Sequence, residues 1–115
     1  MNKDMVYKKI DSFNHELINL RRHIHAHPEL SGLENQTAIL ISGFLKDMGW
    51  NVRESVGRTG VVADFGPLDK GIIGLRVDMD ALPILEETKL SFSSKVDGVM
   101  PVSYTHLTLP TKQPV

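Results

Sequence analysis

The sequence predicts an α/β fold: two helices, then a short three-strand sheet segment, mixed or antiparallel. Three observations carry this. Apolar residues recur at helical spacing in two stretches before Gly49. From Trp50 that period stops and β-branched residues take over. The turn signals that separate the β stretches lie only a few residues apart, which suits antiparallel neighbours in a meander.

The first helix is expected over residues 4 to 26. Val6, Ile10, Phe13, Leu17, Leu20 and Ile24 are spaced alternately four and three residues apart and form one stripe. Lys8, Lys9, Asp11, Glu16, Arg21 and Arg22 fall outside it. Pro28 ends the helix, because the residue before a proline is pushed out of helical angles. The second helix follows a short turn. Ser31 and Glu34 have capping-box spacing, Leu33, Thr37, Leu40, Ile41, Phe44, Leu45 and Met48 form its expected buried face, and Gly49 supplies a left-handed stop. The two helices should pack on each other or on a common sheet.

Three strands are expected next. Asn51 to Ser55 alternates weakly and Thr59 to Phe65 is β-branched. Gly71 to Val77 is nearly continuous apolar sequence, as for a strand buried on both faces. Gly57, Gly60, Gly66-Pro67 and Asp69-Lys70-Gly71 mark the turns. The chain then leaves the last strand through Asp78-Met79-Asp80-Ala81-Leu82-Pro83.

Composition narrows the function. The chain has 115 residues, one small domain or a piece of a larger one. Thirteen basic residues against fourteen acidic ones leave a charge of −1, which excludes the basic surface of a nucleic-acid or anionic-membrane binder. There is no cysteine, hence no disulfide, no thiolate nucleophile and no cysteine zinc site. No apolar run approaches a bilayer span, and the charged N-terminus lacks a signal-peptide core. The expected location is the cytoplasm.

Several residues could carry chemistry. His23 and His27 are four apart and would share a helix face, as two zinc ligands do, with His25 between them. No glutamate follows His23 in the metalloprotease pattern, and polar side chains at a helix C-terminus are favoured by its dipole, so the structural reading outweighs a metal site. Asp78 and Asp80 stand just past the C-terminal end of the third expected strand, the edge where α/β sheets place ligand chemistry. They could bind a cation, orient a histidine that does, or simply cap a turn in solvent. Arg76 is a charge in an apolar strand and needs a carboxylate partner; Asp78, on the same face, is the candidate. Glu86 and Glu87 read as solvated loop or helix residues. Met48, Trp50 and Phe65 read as core. No phosphate loop, nucleotide fingerprint or Ser-His-Asp set is present.

Two stretches carry a resemblance. Leu20-Arg21-Arg22-His23-Ile24-His25-Ala26-His27-Pro28-Glu29-Leu30-Ser31, with Glu34 and Thr37, resembles the N-terminal region of a family of zinc-dependent amidohydrolases. This is the group of hippurate, N-acyl-amino-acid and indole-acetyl-amino-acid hydrolases. Leu75-Arg76-Val77-Asp78-Met79-Asp80-Ala81-Leu82-Pro83-Ile84, with Glu86, is similar to the same family's strand-end motif. Gly49, Gly60 and Gly98-Val99-Met100 also fit, so the resemblance runs over residues 4 to 100.

The resemblance implies an α/β catalytic sandwich, of which residues 1 to 100 form the N-terminal part. That sandwich carries one or two divalent metals, zinc or another, and a smaller lid domain is inserted into it. It implies hydrolysis of a small-molecule N-acyl amino acid, with a metal-activated water and a glutamate base. Asp78 matches the aspartate that supports the metal centre from behind its ligands, and it is the one catalytic position carried over. Arg76 stands where related peptidases place a ligand histidine, so no metal ligand is assigned in this chain and no cofactor is expected in it.

After Met100 the family pattern continues His-Ala-Cys-Gly-His-Asp-Gly-His, which brings the first ligands. This chain reads Pro101-Val102-Ser103-Tyr104-Thr105-His106-Leu107-Thr108-Leu109-Pro110-Thr111. That run resembles a translated sequencing adapter, so residues 101 to 115 are expected to be a non-native, disordered tail without function at His106. The chain is thus expected to be an inactive fragment of an active parent, with neither nucleic acid nor membrane as partner. The alternative is a small module without catalysis that associates through its first helix, whose stripe keeps a heptad rhythm.

Overall fold

A computed structural model describes residues 2–102. Helix α1 spans Lys3–Ala26 and helix α2 spans Asn35–Asp47. Strands β1 (Asn51–Val56) and β2 (Gly60–Asp64) form an antiparallel pair. A single 3-10 turn, Leu68–Lys70, follows. The α/β class and the order of helices before sheet agree with the sequence.

The start of α1 is fixed by a cap absent from the apolar pattern. Asn2 sits in extended geometry and its side-chain oxygen accepts the Met5 N–H at 2.9 Å. At the other end the His27 N–H reaches back to the His23 and Ile24 carbonyls. The apolar stripe is regular, yet its first half is bare: Val6, Ile10, Phe13 and Leu17 are 38–54% exposed.

The expected capping box of α2 does not form. Glu34 takes the N-cap position without a side-chain cap bond, and its carboxylate instead accepts the Thr59 hydroxyl at 2.6 Å. The cap comes from Glu29, five residues earlier in the chain. Its carboxylate accepts the Gln36 N–H at 3.0 Å and both the N–H and the hydroxyl of Thr37 at 2.6 Å. These are the second and third amides of the helix, the two that a cap ordinarily satisfies. Helix α2 ends as expected. Gly49 has φ +83, its N–H meets the Lys46 carbonyl and the Trp50 N–H meets the Leu45 carbonyl. This is the two-bond Schellman stop, which needs a left-handed residue at Gly49.

Helix α2 lies on the β1–β2 pair. Leu40, Ile41, Phe44 and Leu45 are half-buried there, whereas the flanking Leu33 and Met48 are more than half exposed. The most buried side chain is one the apolar pattern passes over: Ser42, 1% exposed, which donates to Glu54 on β1. Lys46 reaches the same carboxylate at 2.7 Å.

The hairpin pairs Asn51 with Asp64, Val52 with Ala63 and Arg53 with Val62, then slips before Val56 meets Gly60. Ser55, Gly57 and Arg58 all have positive φ in this bulged turn. Gly60 is obligatory, because a Cβ there would press into the Val56 carbonyl oxygen.

The third strand is the main difference. Gly71 to Val77 forms no strand and pairs with no other strand among the described residues, and Ile73, Leu75 and Val77 are 93%, 92% and 84% exposed. An apolar run forms a buried strand only when layers cover both its faces. Among the described residues the layer on the sheet comes from α2, and only Ala26, Pro28 and Ala81 are fully buried apolar residues.

Candidate functional site

The site is built where the chain returns to the α1–α2 turn. The Ala81 N–H bonds to the Glu29 carbonyl at 2.8 Å, and Leu30 and Ala81 form a parallel bridge. Leu82 and Met100 exchange both backbone bonds at 3.0 Å, and the Lys95 N–H meets the Ala26 carbonyl at 2.8 Å. Three distant stretches, around Ala26–Leu30, Ala81–Leu82 and Lys95–Met100, are thereby stitched together. Ala26 and Ala81 are buried because they stand at this seam.

Asp78 and Asp80, singled out from the sequence, enter one cavity of about 300 Å³ just before the seam. Leu20, Ile24 and Ile41 form its apolar wall, and Arg21, His25 and Thr37 also line it. Asp78 accepts a hydrogen bond from Arg76 at 3.1 Å, the pairing the sequence suggests. The pair is not buried, however: the Arg76 side chain is 91% exposed and that of Asp78 is 55% exposed. The undocked Gly71–Val77 run leaves Arg76 in solvent, so the pair contributes little to stability.

The three histidines separate. His23 and His27 stack at 4.5 Å between ring centroids and line a different cavity. The His27 Nδ1–H donates to the His23 carbonyl at 2.8 Å, so His27 closes the C-terminus of α1. His25 turns inward. Its Nε2 is 2.7 Å from Glu86 Oε1, and its ring stands edge-on to Phe92 at 5.6 Å. Arg22 covers the other part of that aromatic ring at 4.8 Å.

Glu86 corrects the sequence reading. It is not solvated: its side chain is 3% exposed. The carboxylate also accepts the Thr88 hydroxyl at 2.7 Å and the Ser94 N–H at 2.5 Å. Burial pushes its pKa up, but the bonds from Thr88, Ser94 and His25 outweigh this and hold it below the ordinary carboxylate value. Glu29 and Glu34 behave alike. Burial raises each, and hydrogen bonds to Thr37 or Thr59 and to nearby backbone amides bring each below the ordinary range. The sequence shows no local sign of the Glu86 network, because its main partner is 61 residues away. Glu87 is exposed, as expected.

Among the described residues, no group of three or more His, Cys, Asp or Glu side chains is placed to hold a metal ion. No helix among these residues is long and apolar enough to cross a membrane. Residues 103 to 115, including His106 and most of the adapter-like run, lie outside the described residues.

No family model matches the chain. Its likeness is to individual enzymes. It is 47% identical over 89 residues to the hippurate hydrolase of Campylobacter jejuni, covering 74% of this chain and 22% of that enzyme. It is 39% identical over 101 residues to the N-acyl-L-amino acid amidohydrolase of Geobacillus stearothermophilus, covering 87% of this chain and 27% of that one. The solved structure of the Bacillus subtilis YXEP protein, a dinuclear metal-binding peptidase, superimposes with a TM-score of 0.73 at 41% identity over 80% of this chain and 26% of that one. The chain's fold and sequence are thus similar to those of one stretch of these hydrolases. Its relatives and structural neighbours are members of the M20 family, and the chain matches a fragment of that family. It spans about a quarter of the length of these relatives.

Proposed function

We propose that residues 1 to 100 are the N-terminal part of the catalytic domain of a hydrolase that cleaves the amide bond of N-acyl amino acids. The observation that supports this most is the Leu75 to Ile84 segment. It brings Asp78 and Asp80 to one cavity beside the end of α1, in a chain 47% identical to a hippurate hydrolase. In the parent a bound divalent metal would polarise the amide carbonyl and activate water. Asp78 would support that centre from behind its ligands. The chain itself is inactive in this reading, because no complete ligand set stands among its described residues. Residues 101 to 115 are read as a non-native tail, with a cytoplasmic parent.

The test has two arms. The 115-residue chain, supplied with zinc or cobalt, is incubated with hippurate, and no glycine release is expected; turnover would refute the fragment reading. Source DNA is then sequenced across the codons for Gly98 to Val115. Codons for His-Ala-Cys-Gly-His-Asp after Met100 would support the parent enzyme. Confirmed codons for Pro101 to Val115 and a stop would leave the cell with a truncated gene and no hydrolase. In the frame-restored enzyme, Asp78→Ala should lower kcat by about 100-fold.

A further inference from the structure

We propose that the bare face of α1 is a docking surface for α1 of a second copy of this chain, paired parallel and in register. The inference is independent of the hydrolase reading and rests on spacing, exposure and charge. Val6, Ile10, Phe13 and Leu17 follow the alternating four–three rhythm of the a and d positions of a coiled coil. All four are exposed by 38–54%, although they form the helix's one apolar stripe. The helix is 24 residues long, about 36 Å, enough for three heptads. Ile10 and Leu17 take a positions, and Val6 and Phe13 take d positions.

The flanking charges fit a second copy of the same helix. With Ile10 at a, Glu16 falls at a g position and Arg21 at the next e position. In a parallel pair, a g residue faces the e residue five positions further along the partner helix. Glu16 of each copy then meets Arg21 of the other, twice by symmetry. An antiparallel pair centred on Val6 to Leu17 would instead set Glu16 beside Lys9 and leave Arg21 beyond the stripe, so only the parallel pair engages Arg21. Both side chains are exposed, and neither forms an ion pair among the described residues. Lys3 occupies the preceding a position and closes the stripe at its N-terminal end.

Sedimentation equilibrium of the freshly prepared 115-residue chain tests this. The expected species has twice the 12.8 kDa monomer mass and dissociates on dilution. Glu16→Arg alone and Arg21→Glu alone should each weaken association about tenfold, because two attractive pairs become two repulsive ones. The double exchange of both charges should restore it, which an unspecific hydrophobic aggregate would not do. Lys3→Cys should form an interchain disulfide under oxidation, since parallel pairing sets the two positions side by side. A monomer at every micromolar concentration overturns the proposal, and so does association that ignores both single charge reversals. A dimer without the Lys3→Cys cross-link overturns the parallel direction. Large assemblies at every concentration also overturn it, and would mean that the stripe is covered non-specifically in the absence of other chain segments.

Discussion

The Glu29 carboxylate is the device that starts α2, and its removal has a calculable consequence. Glu29→Ala deletes three acceptor contacts: one to the Gln36 N–H, one to the Thr37 N–H and one to the Thr37 hydroxyl. Loss of a helix cap costs about 1 kcal/mol. The Thr37 side chain, 4% exposed, then keeps a buried hydroxyl without its acceptor, which adds about 1–2 kcal/mol. The expected loss is therefore about 2–3 kcal/mol, a large share of what a small chain possesses. With a urea m-value of about 1–1.5 kcal/mol/M, the midpoint followed by circular dichroism should fall by about 1.3–3 M. A chain of low starting stability would instead show no folded baseline. Glu29→Gln keeps an acceptor oxygen and should lose less than half as much. Thr37→Val in both backgrounds completes a double-mutant cycle, with an expected coupling of about 1 kcal/mol. If Glu29→Ala stays within about 0.5 kcal/mol of the parent chain, the carboxylate is not the cap and the argument fails.

Acid should unfold the chain through the same class of contact. Glu29, Glu34 and Glu86 are held below the ordinary value in the folded state, so their stabilisation is complete above the unfolded carboxylate pKa of about 4.3. It is lost as pH falls through the lower folded values. A pH titration of the urea midpoint should decline below about pH 4.5, and Glu86→Gln should make that decline shallower. A midpoint that rises on acidification would contradict the sign. Glu86→Ala leaves the inward-facing His25 and the Ser94 N–H without this acceptor, and should cost about 2–4 kcal/mol in the same assay. Gly60→Ala forces a Cβ against the Val56 carbonyl and should cost about 2 kcal/mol, with chemical-shift changes centred on Val56 to Val61; unchanged shifts would remove the steric argument. The unpaired Gly71–Val77 run should seed thioflavin-positive fibrils on storage, and Ile73→Lys should lengthen the lag several-fold. Equal lags would clear this segment.

What the sequence disclosed was what is local. The α1 stripe, the Pro28 stop, the Gly49 cap and the antiparallel hairpin each follow from residues within one or two turns of each other. Asp78 and Asp80 were legible for a related reason: they are two residues apart, and they line one cavity together. What stayed hidden was non-local. Glu34 matched the capping-box spacing with Ser31, yet the helix starts four residues later, where Glu29 holds the Gln36 and Thr37 amides and the Thr59 hydroxyl engages Glu34 from the hairpin. Glu86 looked solvated because its near partners, Thr88 and Ser94, are ordinary loop residues, whereas His25 closes on it from α1 across 61 residues.

Gly71–Val77 shows the limit from the other side. Its composition states an environment, dry on both faces, rather than a conformation. The β1–β2 pair and α2 supply one layer of that environment, and a cavity of about 440 Å³ remains between Leu45, Trp50 and Val61 on one side and Leu75 and Val77 on the other. Burying Ile73, Leu75 and Val77 would each contribute about 1.5–3 kcal/mol, so leaving all three in water forfeits about as much as a small domain's whole stability. A run this apolar is sustained by a second covering layer, and the matched relatives are about four times as long as the stretch they share with this chain. The exposed run and the small matched share therefore fit the proposal made above for residues 1 to 100: the run has the composition of a strand with a layer on each face.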